Sequence, residues 1–138
     1  MRLAVVLLAL PIGACAAAPA FDTPRCPQGT RAGTVIEMVF GRNVGPAEAV
    51  GERAFARFID DEVVPRFPGG LTVLDAAGYW TDAGRPARER SKVVVIAVPT
   101  DPPLAADADS LRAVATAYKA RFRQKSVLTM TRRSCIGW

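Results

Sequence analysis

The sequence predicts an α+β domain of ferredoxin-like βαββαβ type: one four-stranded antiparallel sheet with two helices on one face. Three observations predict it. Four β-branched or aromatic runs and two runs of helical period follow one another as strand, helix, strand, strand, helix, strand. The two middle strands are joined by Thr81-Asp82-Ala83-Gly84, a short loop whose glycine suits a left-handed position, as in a hairpin. The chain has 138 residues, the size of a single domain.

Residues 34–40 (Thr-Val-Ile-Glu-Met-Val-Phe) form the first strand, ending at Gly41. Gly45-Pro46 opens the first helix, with proline at its first position and Glu48 in the first turn, both suited to a positive helix end. Val50, Ala54, Phe55, Phe58, Ile59 and Glu62/Val63 continue it as an apolar stripe, and Pro65 stops it. Phe67-Pro68-Gly69-Gly70 is a turn. Residues 71–76 are the second strand, which passes Gly78, expected as a bulge or kink, to reach Tyr79-Trp80. Residues 88–98 return as the third strand, and their apolar run 93–98 belongs in the middle of a sheet. Residues 99–103, with three prolines, break the strand. Asp107 or Asp109 caps the second helix, in which Leu111, Val114, Ala115, Tyr118 and Phe122 make one stripe. Residues 126–132 are the last strand.

Ahead of the domain lies a targeting segment. Met1-Arg2, an apolar run over 3–10 and Pro-Ile-Gly-Ala-Cys are the three parts of a secretory signal. A spanning helix takes about 20 strongly apolar residues, and this run is interrupted by proline and diluted by alanine. Ile12-Gly13-Ala14-Cys15 resembles the bacterial lipobox. The resemblance implies cleavage before Cys15, a diacylglyceryl group on its thiol and acylation of the new N-terminus. Ordinary cleavage after Ala18 or Ala20, giving a soluble secreted or periplasmic protein, is the alternative. The expected organisation is a lipoprotein signal peptide over 1–14, a tether and irregular lead-in over 15–32, and one domain over 33–138. The membrane is the expected partner through the acyl anchor, on the periplasmic side of the cell envelope.

Loss of residues 1–14 removes only Arg2 and lowers the formal charge from +5 to +4. No block of five like charges exists, so nucleic-acid binding is not expected. Two cysteines remain. In the predicted topology the first and last strands are antiparallel neighbours, so Cys26, before the first, and Cys135, after the last, arrive at the same edge. An exported chain meets an oxidising compartment, and a Cys26–Cys135 disulfide is expected.

The chain has no His, which removes a Ser-His-Asp or Cys-His nucleophile system, His-ligated haem and the usual catalytic zinc site. Asp60-Asp61-Glu62 are consecutive on a helix and point in different directions, so no metal site is expected, and no cofactor. Asp75, Tyr79, Trp80, Arg88, Glu89 and Lys92 lie along the long hairpin, with Arg66 leading into it and Arg121 on the second helix. Cations beside an aromatic pair suit an anionic ligand, and solvated surface pairs are the plain alternative. Glu37, central in a strand, is the best candidate for an interfacial carboxylate. With both helices on one side, the other sheet face needs a polar surface, residues 21–32 folded over it, or a second copy in a sheet-to-sheet homodimer.

Several strings together carry a wider resemblance: Phe40-Gly41; residues 58–73 (Phe-Ile-Asp-Asp-Glu-Val-Val-Pro-Arg-Phe-Pro-Gly-Gly-Leu-Thr-Val); Asp75, Gly78 and Trp80; Ser91-Lys92-Val93; and Tyr118-Lys119-Ala120-Arg121-Phe122 followed by Gln124 and Ser126-Val127. Over about residues 35–135 the chain resembles a bacterial family of short lipoproteins and secreted proteins classed as a domain of unknown function. The resemblance implies export and a small α+β domain, and it brings no catalytic residue. The function expected is that of a non-enzymatic binding or assembly module on the cell envelope. The alternative is a small cofactor-independent enzyme of dimeric α+β barrel type, with a cleft near Glu37, Asp75 and Lys92.

Overall fold

The computed structural model describes residues 26–44, 47–48, 50–100 and 104–138. The signal segment, Cys15 with its lipobox, most of the tether and Pro46 lie outside them. The main strands are β1 (Arg31–Gly41), β4 (Leu71–Asp82), β5 (Arg85–Val98) and β6 (Leu128–Ile136), in the order β4-β5-β1-β6. Every pairing is antiparallel, which is the expected ferredoxin-like order. Each of these strands except β4 extends well into polar sequence, because ladder hydrogen bonds are made by the backbone and continue through Arg85, Arg88, Arg90, Arg132 and Arg133. The β4–β5 hairpin turns on Ala83 (φ 47) and Gly84 (φ 80), the paired left-handed residues of a two-residue turn.

The first helix begins later than its proline predicts. Asn43–Val44 (β2) and Ala47–Glu48 (β3) pair as a small hairpin, and helix α1 covers only Glu52–Phe58. The reason is tertiary. Buried Arg42 donates from Nε to the Val50 carbonyl (2.7 Å), and the Val50 N–H donates to the Arg42 carbonyl (3.1 Å), so the chain doubles back before it can coil. The helix then widens into a π-helical turn over Ile59–Val63, closed by Val64 N–H on the Ile59 carbonyl (3.0 Å). The additional residue in that turn brings Val63, rather than Glu62, into the core. Helix α2 (Ala105–Phe122) starts after Leu104, whose N–H donates to the Asp107 carboxylate (2.9 Å); Asp107 caps from inside the first turn.

Both helices pack on the sheet face that carries Ile36, Met38 and Phe40 from β1 and Val94, Ile96 and Val98 from β5, all buried. Phe40 is the centre of this core. Its ring lies edge-on to Phe55 (5.8 Å), Phe58 (5.8 Å) and Tyr118 (4.7 Å), joining strand, first helix and second helix. Tyr118 also donates its hydroxyl to the Gly41 carbonyl (2.8 Å), and burial holds its phenol far above the ordinary tyrosine pKa. At the far end of the β1–β6 ladder, Cys26 and Cys135 are joined as a disulfide, with Cα atoms 5.4 Å apart and a sequence separation of 109.

Phe40→Ala is expected to cost about 3–5 kcal/mol, the range for a buried Phe, read as a lower urea midpoint. Cys135→Ser opens a 109-residue loop and is expected to cost up to about 4–5 kcal/mol by loop-closure entropy. A reductant should reproduce that loss in the parent chain and leave the Cys135→Ser chain unchanged.

Candidate functional site

Alternation along the strands sorts the charged candidates onto two faces. On the helix side, Asp75 of β4 stands opposite Lys92 of β5. Lys92 Nζ lies 2.7 Å from Asp75 Oδ1 and 2.8 Å from Glu52 Oε2, and its side chain is only 8% exposed. Arg42, 1% exposed, reaches Glu52 Oε1 from Nη1 at 2.6 Å, and Arg90 stands 3.7 Å from the same oxygen. Glu52 is the first residue of α1, so three cations from the sheet grip the start of that helix. Hydrogen bonds from Lys92 hold both the Asp75 and the Glu52 carboxyl below their ordinary range, and those two carboxylates hold Lys92 above its own. The buried cations are therefore satisfied by protein carboxylates. The cluster acts as a clamp between helix and sheet.

Three other sequence candidates stand apart. Arg66 donates to the Glu62 carbonyl (2.5 Å) and carboxylate (2.9 Å), Arg121 pairs with Asp61 (3.0 Å), and exposed Tyr79 lies under the Arg88 guanidinium at 5.2 Å. Two shallow depressions mark the surface, of about 320 Å³ by Thr30, Ile136 and Trp138 and about 250 Å³ by Arg66, Phe67, Val98 and Asp107. Neither is lined by Lys92, Asp75 or Glu37. Among the described residues no three His, Cys, Asp or Glu side chains gather as a metal site.

Among the described residues no helix packs on the opposite face, which is largely apolar. Leu74 and Trp80 from β4, Leu128 and Met130 from β6, and Val35, Val39, Val93 and Val95 between them alternate onto it. Leu74 is 50% exposed, Trp80 44% and Met130 42%, values that fit an uncovered surface. Glu37 belongs to this face and accepts from Arg132 Nη1 at 2.6 Å. The cleft expected to join Glu37 with Asp75 and Lys92 does not form, because the sheet lies between them. Trp80 shares the face of Glu37, whereas Asp75 and Lys92 share the other.

Glu89 is the residue that sequence reasoning underrated. It pairs with Gly78 of β4, and its neighbour on the same face, Ser91, pairs with Gly41 of β1. A side chain on Gly41 would fall on the Glu89 carboxylate. One on Gly78 would meet Ser91 Oγ at 3.2 Å, and Glu89 Cγ and Trp80 Cζ3 both at 3.8 Å. Gly78 therefore sits in regular ladder register, not in a bulge, and its missing side chain makes room for these neighbours. Among the described residues no cation or hydrogen-bond donor meets the Glu89 carboxylate, and burial alone pushes its pKa up. The signal available in sequence was the pair of glycines, but only the strand register shows that both flank Glu89. Arg42 and Glu52 were missed for a similar reason, since their contacts cross from strand to helix.

Residues 35–138 match the family described as protein of unknown function (DUF3574). The chain belongs to this family. The matched DUF3574 segment takes in all four main strands, apart from the first residues of β1, and both helices. Solved structures share the fold. A phage SAM lyase in complex with S-methyl-5'-thioadenosine superposes with a TM-score of 0.58 at 16% identity, covering 83% of this chain and 95% of that one. The apo state of a phage SAM lyase gives 0.55 at 17% identity, covering 78% and 90%. At such identities the likeness is one of fold. Among curated proteins nothing matches.

The two carboxylate groups respond to pH with opposite sign. Asp75 and Glu52, lowered when folded, stabilise the DUF3574 domain above the ordinary carboxylate range and lose that contribution as pH falls through their folded values. An Asp75→Asn, Glu52→Gln double variant should melt lower near neutral pH and show a shallower loss in acid. Glu89, raised when folded, favours the folded state in its neutral form and withdraws that support as pH rises. Glu89→Gln should therefore melt higher than the parent near neutral pH, with the gap closing toward about pH 3. Thermal melts across that range check both.

Proposed function

We propose that this DUF3574 protein is an exported lipoprotein, held on the periplasmic side of the envelope by an acyl group on Cys15, and that it works by binding through its open sheet face. The observation that carries the reading is that face itself, with large apolar side chains exposed on both of its outer strands. Exposed apolar patches of this kind mark contact surfaces rather than ordinary solvent-facing sheet.

A second copy of the chain is the proposed occupant. A two-fold interface must be self-complementary, and this one offers an apolar centre with the Glu37–Arg132 pair beside it. Anchoring by an acyl chain would also concentrate copies in one membrane plane, which favours weak self-association. The experiment has two arms. Protein extracted from membranes should carry a lipid mass on Cys15, and its absence would remove the anchor from the reading. A chain without the lipid should sediment as a dimer. Leu74→Glu with Met130→Glu should make it monomeric with little change in melting temperature, because both side chains are exposed. A monomeric parent chain would refute the self-association.

A second reading, a small cofactor-independent enzyme of dimeric α+β barrel type, draws support from Glu89 rather than from Glu37, Asp75 and Lys92. A carboxylate held above its ordinary pKa on an apolar surface is suited to general acid or base work.

A further inference from the structure

We propose that the end of the domain at which the tether arrives is a lipid contact surface, where Trp138, Leu104 and Val64 enter the headgroup layer of a phospholipid bilayer and Arg31 meets its phosphates. The surface is separate from the sheet face assigned to a second copy, and its assignment rests on the reading of Cys15 as the anchor point.

The topology gathers these residues at one end. Thr34 of β1 pairs with Val98 of β5, and Ile96 of β5 with Leu71 of β4, so the start of β1, the end of β5 and the start of β4 lie together. The β1–β6 ladder sets Ile136 beside Arg31, and Trp138 follows two positions later. Helix α2 starts at Ala105, shortly after β5, and Val64 lies in the link from the π-helical turn to β4. Trp138 is 81% exposed, Leu104 60% and Val64 46%, and none of them belongs to a strand. Three large apolar side chains exposed at one end ask for an apolar partner of their own. The Trp138 segment is also braced. The Cys26–Cys135 bridge holds β6 to the chain before β1, and a side chain on Gly137 would lie 2.8 Å from the Gly29 carbonyl and 3.0 Å from Thr30 Cγ2, so this stretch packs directly on the lead into β1.

Charge and distance choose the occupant. Arg31 is exposed and has no ion pair among the described residues, whereas the nearby carboxylates are engaged, Glu62 with Arg66 and Asp107 with the Leu104 N–H, both at 2.9 Å. A free guanidinium near an indole suits a bilayer interface, where Arg meets phosphate and tryptophan sits at headgroup depth. Cys15 and Cys26 are eleven positions apart, a reach of at most about 40 Å at about 3.6 Å per residue. Strand β5, with 14 residues, is about 46 Å long at about 3.3 Å per residue. The anchor therefore holds this end within one sheet length of the bilayer, while the Ala83-Gly84 turn lies at the opposite end. Contact here stands the domain on end and leaves the open sheet face accessible to a second copy beside it.

The chain from Cys15 to Trp138 keeps every described residue and has one free thiol once Cys26 and Cys135 are bridged. Cys15 can then be coupled to a maleimide lipid in vesicles of phosphatidylcholine and phosphatidylglycerol, which supplies the anchor chemically whether or not cells attach one. In a Trp80→Phe background, Trp138 emission should shift to the blue and be quenched at least about twofold by brominated phosphatidylcholine. In a Trp138→Phe background, Trp80 should be unaffected. Arg31→Glu with Leu104→Glu should remove about half of the Trp138 quenching or more, and Tyr79→Ser, exposed near the hairpin turn, should leave it unchanged. Trp138 emission that stays as in free solution, or quenching of Trp80 equal to that of Trp138, would overturn the contact surface. Quenching of Trp138 in the coupled chain, together with cell-extracted protein that carries no lipid on Cys15, would support the surface and remove the native anchor instead.

Discussion

The ring of Phe40 meets Phe55 and Phe58 of the first helix and Tyr118 of the second, all within 5.8 Å between centroids and all edge-on. Edge-to-face pairs add about 0.5–1.5 kcal/mol each beyond the area they bury, and here several share one ring. The contact fixes which side of β1 is covered. Because strand residues alternate, fixing one side of the central strand fixes the sides of its neighbours. The apolar character of the second face, the isolation of Glu89 and the separation of Asp75 from Glu37 all descend from that choice. Turning β1 over would bury Glu37 under two helices and take it from Arg132, which now pairs with it.

The two charged groups of the domain illustrate opposite uses of a carboxylate. Glu52 and Asp75 are largely exposed, yet they close off two cations that the fold has buried, so their charge serves packing. Glu89 is partly buried and closes off nothing. Its charged form opposes folding, and it is accommodated only because Gly41 and Gly78 carry no side chain. The Lys92 cluster, by contrast, drew attention in the sequence by its density of charge, and that density is explained by the helix it holds.

Much of the fold was legible in the sequence because it depends on short-range pattern. The β-branched runs around Ile36 and Val94, the stripe of Val114 and Tyr118, and the Ala83-Gly84 turn each announce their element locally. Strand order then followed from topology, and with it the meeting of Cys26 and Cys135. The start of the first helix was not legible, since Pro46 is a good local signal and Arg42 overrides it only through a bond to Val50 in the folded chain. The π-helical turn was visible only as the ambiguity between Glu62 and Val63. Site residues fared worse than elements. Asp75 and Lys92 were matched by their positions in the hairpin, but assigning Glu37 to their cleft required knowing which face each strand shows. Glu89 required more still, a register across three strands.

The disulfide has a mechanical meaning. It ties the chain just before β1 to the last turn of β6, so that tension applied upstream of Cys26 and downstream of Cys135 passes through the sulfur bridge and bypasses the sheet. The residues inside that covalent loop cannot be drawn out, and the ladders between them are spared shear. A domain pulled from the two ends of that bridge keeps its length so long as the bridge stays oxidised.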